Sequence, residues 1–163
     1  MNPFQGHLSF ILRQSNNDKL NSAFRIRYPL LPTDYEDFLH SFSVLTNTSD
    51  TTWFNSIIDF NETNSDSGFK WNEFELLSLE VFDGDSENQE IVRDFWNKHL
   101  PIILSVKNNY AFFAIGVSSK NFGEIYFGQE PEFEEVELVE NDFTSFIKSL
   151  RQGSLNSEFL DLF

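Results

Sequence analysis

Large apolar side chains recur along the chain with a helical period in some stretches and a strand period in others. Behind LLPT, residues Tyr35, Phe38, Leu39, Phe42 and Leu45 follow helical spacing and predict a helix over 34–45. Thr33 with Glu36 reads as a capping box at its start, and Pro32 discourages an earlier one. The polar run TNTSDT is a loop, and in WFNSIIDF the set Phe54, Ser56, Ile58 and Phe60 alternates as a strand does. NETNSDSG carries no apolar residue before Phe69 and reads as an exposed loop. Trp71, Phe74 and Leu77 suit a short helix. A longer one opens at Ser86 or Glu87, gathers Ile91, Val92, Phe95, Trp96 and His99 on one side, and is stopped by Pro101.

The second half is organised in strands. IILSV and YAFFAIGV flank Asn108 and Asn109, residues that tolerate the positive φ of a tight hairpin. GEIYFG extends the hairpin into a meander and VELV supplies the last strand. Asn141 or Asp142 then caps a helix bearing Phe143, Phe146, Ile147 and Leu150. The expected fold is α+β, an antiparallel meander of about four or more strands with helices covering one face. Residues 1–150 form a single domain in this reading, and 151–163 a C-terminal tail with a short terminal helix.

Composition narrows the function. With 163 residues, 40% of them hydrophobic and twenty phenylalanines, the chain can bury one substantial core. Its 26 acidic residues against 11 basic give a net charge of −15, which repels nucleic acid phosphates and anionic membranes. No direct nucleic acid contact and no membrane association are expected. Cysteine is absent, which removes thiolate nucleophiles, disulfides and Cys-based zinc sites. The N-terminal LSFIL is too short for a signal-peptide core, so the protein is expected in the cytoplasm.

Asp83, Asp85 and Glu87 alternate as in a calcium loop, but Asn88 and Asp94 stand where such a loop needs glycine and a bidentate Glu. The alternative is a solvated helix start. For catalysis His7, His40 and His99 are available, yet no nucleophile elbow, zinc-protease or phosphate-loop motif accompanies them. His99, near a helix C-terminus, suits either a cation favoured by the helix dipole or a simple capping bond. The expected enzyme activity is none, with no metal and no cofactor. The conspicuous feature is GEIYFGQEPEFEEVELVENDF, with no Lys or Arg between Lys120 and Lys148. One of its glutamates could act as an acid or base if desolvated, but crowding keeps them ionised and in water. Phe133 and Val136 can anchor the segment while Glu130, Glu132, Glu134, Glu135 and Glu137 project outward. The carboxylates then either protect a sheet edge or meet a basic partner. Trp53, beside the TNTSDT loop, is either buried or a partner contact.

The order LPTDYEDFL, WNEF, FWNKHLPIILSV, YAFFAI, GEIYFGQEPEFEE and FTSFIKSL resembles the SUKH superfamily, named for the fungal cell-wall-assembly regulator, over about residues 31–150. The resemblance implies a SUKH-like α+β domain and a non-enzymatic immunity protein of a polymorphic toxin system. Such a protein would neutralise a cognate secreted toxin, a nuclease for preference, whose basic surface meets this chain's acidic one. The alternative it implies is a regulatory scaffold for endogenous protein partners in cell-wall signalling. Glu130, Glu132, Glu134, Glu135, Glu137, Asp83, Asp85, Glu87 and Trp53 are the expected partner-binding residues, in a monomer or weak dimer.

Overall fold

A computed structural model describes residues 10–14, 17–62 and 69–163. Among them, seven strands form one antiparallel sheet in chain order: β1 (Phe10–Gln14), β2 (Phe42–Asn47), β3 (Thr52–Phe54), β4 (His99–Ser105), β5 (Ala111–Gly116), β6 (Ile125–Gln129) and β7 (Glu137–Glu140). Between β1 and β2 lie α1 (Ser22–Arg27) and α2 (Thr33–Leu39). Between β3 and β4 lie α3 (Ile57–Asn61), α4 (Glu73–Val81) and α5 (Ser86–Lys98). After β7 come α6 (Phe143–Gln152) and α7 (Ser157–Leu160). The fold is α+β with an antiparallel sheet. No helix among the described residues is long and apolar enough to cross a membrane.

Helices cover both faces of the sheet, where the sequence suggested one. Along β5, Ala111, Phe113 and Ile115 point into a core shared with α1, α2, α3, α6 and α7. The alternating Phe112 and Ala114 point into a second core with Phe74 of α4 and Val92 and Trp96 of α5. Every residue of β5 is therefore buried, which explains why AFFAI is a continuous apolar run. Arg27 joins the two layers: its guanidinium donates to both oxygens of Glu75 on α4, at 2.9 and 2.7 Å, and its Nε donates to Asn97 on α5. The hydroxyl of Tyr28 donates to the Trp96 carbonyl at 2.9 Å.

Several elements differ from the sequence reading. Helix α2 ends at Leu39, and Phe42 and Leu45 belong to β2. The β1–β2 register slips between Arg13 and Gln14, so that Ser43 is an extra residue in the bulged strand. The bulge places Phe42 and Leu45, three residues apart, toward one core, and this spacing imitates a helix. The Thr33–Glu36 capping box is not formed: Pro32 is the N-cap and Thr33 the first helical residue. Of the expected strand 53–60, Trp53 and Phe54 belong to β3, but a capping box at Ser56 and Asp59 turns Ile57–Phe60 into α3 and buries Ile57 and Phe60. Ile58 is exposed.

Helix α5 passes directly into β4. His99 is its C-cap and the first strand residue, and Pro101 lies in β4 beside a register shift. The expected loop after Phe60 falls largely on 63–68, outside the described residues, as does His7. The stretch 151–163 returns to the domain: Phe159 and Leu162 are buried in the first core, and the Leu162 and Phe163 carbonyls accept from Thr52 and Asn47.

Candidate functional site

The acidic stretch between β6 and β7 is fastened at three points. Glu130 continues the β5–β6 ladder, its N–H donating to the Tyr110 carbonyl at 2.8 Å and its carboxylate accepting from the Tyr110 N–H at 2.9 Å. Phe133 is buried and stacks on Phe74, with ring centroids 4.6 Å apart and an interplanar angle of 11°. Val136 is half-buried over Gly128, where a Cβ would come within 2.5 Å of the Phe112 ring and 3.0 Å of Val136. Only a residue without a side chain fits there, so Gly128 seats both Phe112 and the acidic turn.

Two of the glutamates expected to project freely are engaged. Glu130 holds Tyr110 as described, and Glu134, half-buried, accepts a hydrogen bond from the Trp96 indole N–H at 2.8 Å. Trp96 is otherwise enclosed in the second core and its N–H needs an acceptor. Glu132, Glu135 and Glu137 remain exposed. None of the five takes part in an ion pair among the described residues, where the pairs join Arg25 to Glu36, Arg27 to Glu75 and Lys98 to Asp94.

Asp83, Asp85 and Glu87 are exposed at the turn from α4 to α5. Gly84 takes φ +81° there. Asp85 is the α5 N-cap, accepting from the Asn88 N–H and side-chain amide, and the Asn88 side chain above all holds its carboxyl below the usual range. Among the described residues no three His, Asp or Glu side chains converge as a metal site.

A groove of about 270 Å³ lies between one acidic stretch and the two helices that flank the other. Its wall on one side is Pro131, Glu132, Glu134 and Glu135. The other side is built by α4 and α5, with Val81, Phe82, Asn88 and Ile91. Asp83, Asp85 and Glu87 occupy the turn between the lining residues Phe82 and Asn88. Val81 is 79% and Ile91 59% exposed, and no Lys or Arg lines the groove. Ile91 was expected on the packed side of its helix, but Val92 and Trp96 take that side.

Trp53 lies apart from this groove. It is half-buried, with its ring edge-to-face on Phe69 at 5.6 Å, and it lines a second groove of about 400 Å³ with Val44, Ile58, Asp50 and Asp59. Asp50 takes φ +55°, held by its N–H to the Asn47 carbonyl and by the Thr46 hydroxyl.

His99 is a structural group. Its Nδ1 lies 2.8 Å from the Phe95 carbonyl, and Nε2 lies 3.3 Å from the Asn121 side-chain amide. Because a carbonyl only accepts, Nδ1 carries the proton and Nε2 accepts from Asn121. The ring stacks on Phe95 at 4.1 Å, and burial lowers its pKa. Of the two roles expected from the sequence, a cation or a capping bond, the geometry shows the capping bond.

No protein-family model matches the chain, and no curated protein is significantly similar to it.

Proposed function

We propose that the protein is a non-enzymatic immunity protein of the SUKH type, which binds a cognate toxin domain through the acidic groove between α4, α5 and the β6–β7 turn. The observation that carries this reading is a groove walled by Glu132, Glu134 and Glu135, with exposed Val81 and Ile91 across from them, Asp83, Asp85 and Glu87 on the adjoining turn, and no Lys or Arg among the described lining residues. A nuclease grips phosphate with lysines and arginines, and a carboxylate surface can occupy the same groups by charge-assisted hydrogen bonds. Long-range attraction also speeds the encounter. The order of sequence elements over 31–150 adds the family resemblance to this geometry. The protein acts in the cytoplasm as a monomer or weak dimer in this reading, since a charge of −15 opposes self-association.

Glu132, Glu135, Glu137, Asp83 and Glu87 are the charged contacts, and Glu134 is shared between Trp96 and the groove. Trp53 is removed from this surface and is not needed by it. The test is protection: toxin domains drawn from the genes neighbouring this one are expressed in cells with and without the chain. Restored growth together with a purified one-to-one complex is the expected result. Failure to protect and to form a complex overturns the reading, and a cell-envelope defect on deletion without any toxin favours the scaffold instead.

A further inference from the structure

We infer that the groove between α4, α5 and the β6–β7 turn seats a cationic amphipathic segment of the partner protein, with an apolar side chain of that segment resting between Val81 and Ile91. This deepens the proposed function and rests on it. Single exposed apolar residues are ordinary on protein surfaces, but here two of them face one concavity from neighbouring helices. They present methyl groups to solvent beside a wall of Glu132, Glu134 and Glu135 and beside the turn that carries Asp83 and Glu87. A purely cationic ligand would satisfy the carboxylates and leave Val81 and Ile91 wet. A purely apolar one would bury carboxylates without partners, which is costly. Only a segment with an apolar face bordered by Lys or Arg satisfies both.

Charge also decides among occupants. A second copy of this chain brings −15 of its own and only 11 basic residues, and nucleic acid and anionic bilayers are repelled for the same reason. The groove contains its own reporter, because the indole N–H of Trp96 ends on Glu134, a wall residue. A ligand that draws Glu134 toward a cation changes the environment of that proton while Trp96 itself stays buried.

The experiment uses the full chain labelled with nitrogen-15 and two synthetic probes, a leucine–lysine peptide with leucines at helical spacing and a lysine–serine peptide of equal charge and length. The expected result is saturable one-to-one binding of the leucine–lysine peptide with a shift of the Trp96 indole resonance. The Val81→Ser/Ile91→Ser variant, whose melting temperature should match the wild type because both side chains are largely in water, weakens that binding by about tenfold. The lysine–serine peptide binds more weakly and is indifferent to the variant. Equal binding of the two peptides, no movement of the Trp96 resonance, or a concentration-dependent dimer that covers the groove overturns the inference. Protection against the toxin that survives Val81→Ser/Ile91→Ser at full strength also overturns it, while leaving the immunity reading intact.

Discussion

Replacing Phe133 by alanine removes the apolar anchor of the acidic turn. The ring is 6% exposed, stacked on Phe74 at 4.6 Å and tilted against Phe112 at 6.4 Å, so its loss opens a cavity between α4 and β5. Truncating a buried Phe costs about 3–5 kcal/mol. A surface turn can partly collapse into the space, which favours the lower end, near about 3 kcal/mol. For a chain of this size each kcal/mol lowers the melting temperature by about 2–4 °C, so a fall of roughly 6–12 °C is expected. Phe133→Leu keeps an apolar occupant and should cost about 1–2 kcal/mol. Circular dichroism melts and urea midpoints of the three proteins provide the measurement. If Phe133→Ala melts within a degree or two of wild type, the turn is not seated on the second core and the groove described above is not a fixed feature.

Glu134→Ala leaves the buried Trp96 N–H without an acceptor and should cost about 1–3 kcal/mol, whereas Glu134→Gln keeps an acceptor and should cost under about 1 kcal/mol; urea titration of both separates the two. Ser56→Ala removes the α3 cap at about 1 kcal/mol, while Thr33→Ala, outside any cap, should fall within about 0.5 kcal/mol of wild type in the same assay. Burial lowers the His99 pKa below its ordinary 6.5, so the unfolded chain takes up this proton first as pH falls. Its contribution is fully present above pH 6.5 and is lost as pH falls from there toward the folded value. Urea midpoints measured across that window should decline less steeply in His99→Gln than in wild type, and parallel profiles would show that the ring is not held neutral.

The strands from β4 to β7 and helix α6 were legible because their signals are local. Apolar runs separated by the polar Asn108–Asn109 break, and Asp142 ahead of an amphipathic stretch, each act within a few residues, although neither asparagine takes the positive φ expected of it. Within 34–60, Phe42–Leu45 and Ile57–Phe60 were misread for equally local reasons. The bulge at Ser43 gives a strand a helical spacing, and two capping-box patterns compete, of which only Ser56–Asp59 is realised because Pro32 already occupies the other helix's N-cap. The continuous burial of β5 is a signal for two covered faces that the sequence carried in AFFAI. Engagement of Glu130 and Glu134 was hidden, since their partners Tyr110 and Trp96 are distant in the chain. The groove between Glu132–Glu135 and the helices α4 and α5 follows from the packing of α4 and α5 on β5, and no local pattern contains it.

In the proposed function this acidic groove receives the partner. The most direct measurement of that role is the association rate of the toxin domain, at low and high salt, with wild type and with a variant carrying Asp83→Asn, Glu87→Gln, Glu132→Gln, Glu135→Gln and Glu137→Gln. These five side chains are exposed, so folding should be retained or slightly improved as self-repulsion falls. The variant should associate more slowly at low salt, with a flatter salt dependence and weaker affinity. A folded variant that binds with unchanged rate, affinity and salt dependence would contradict that role of the groove.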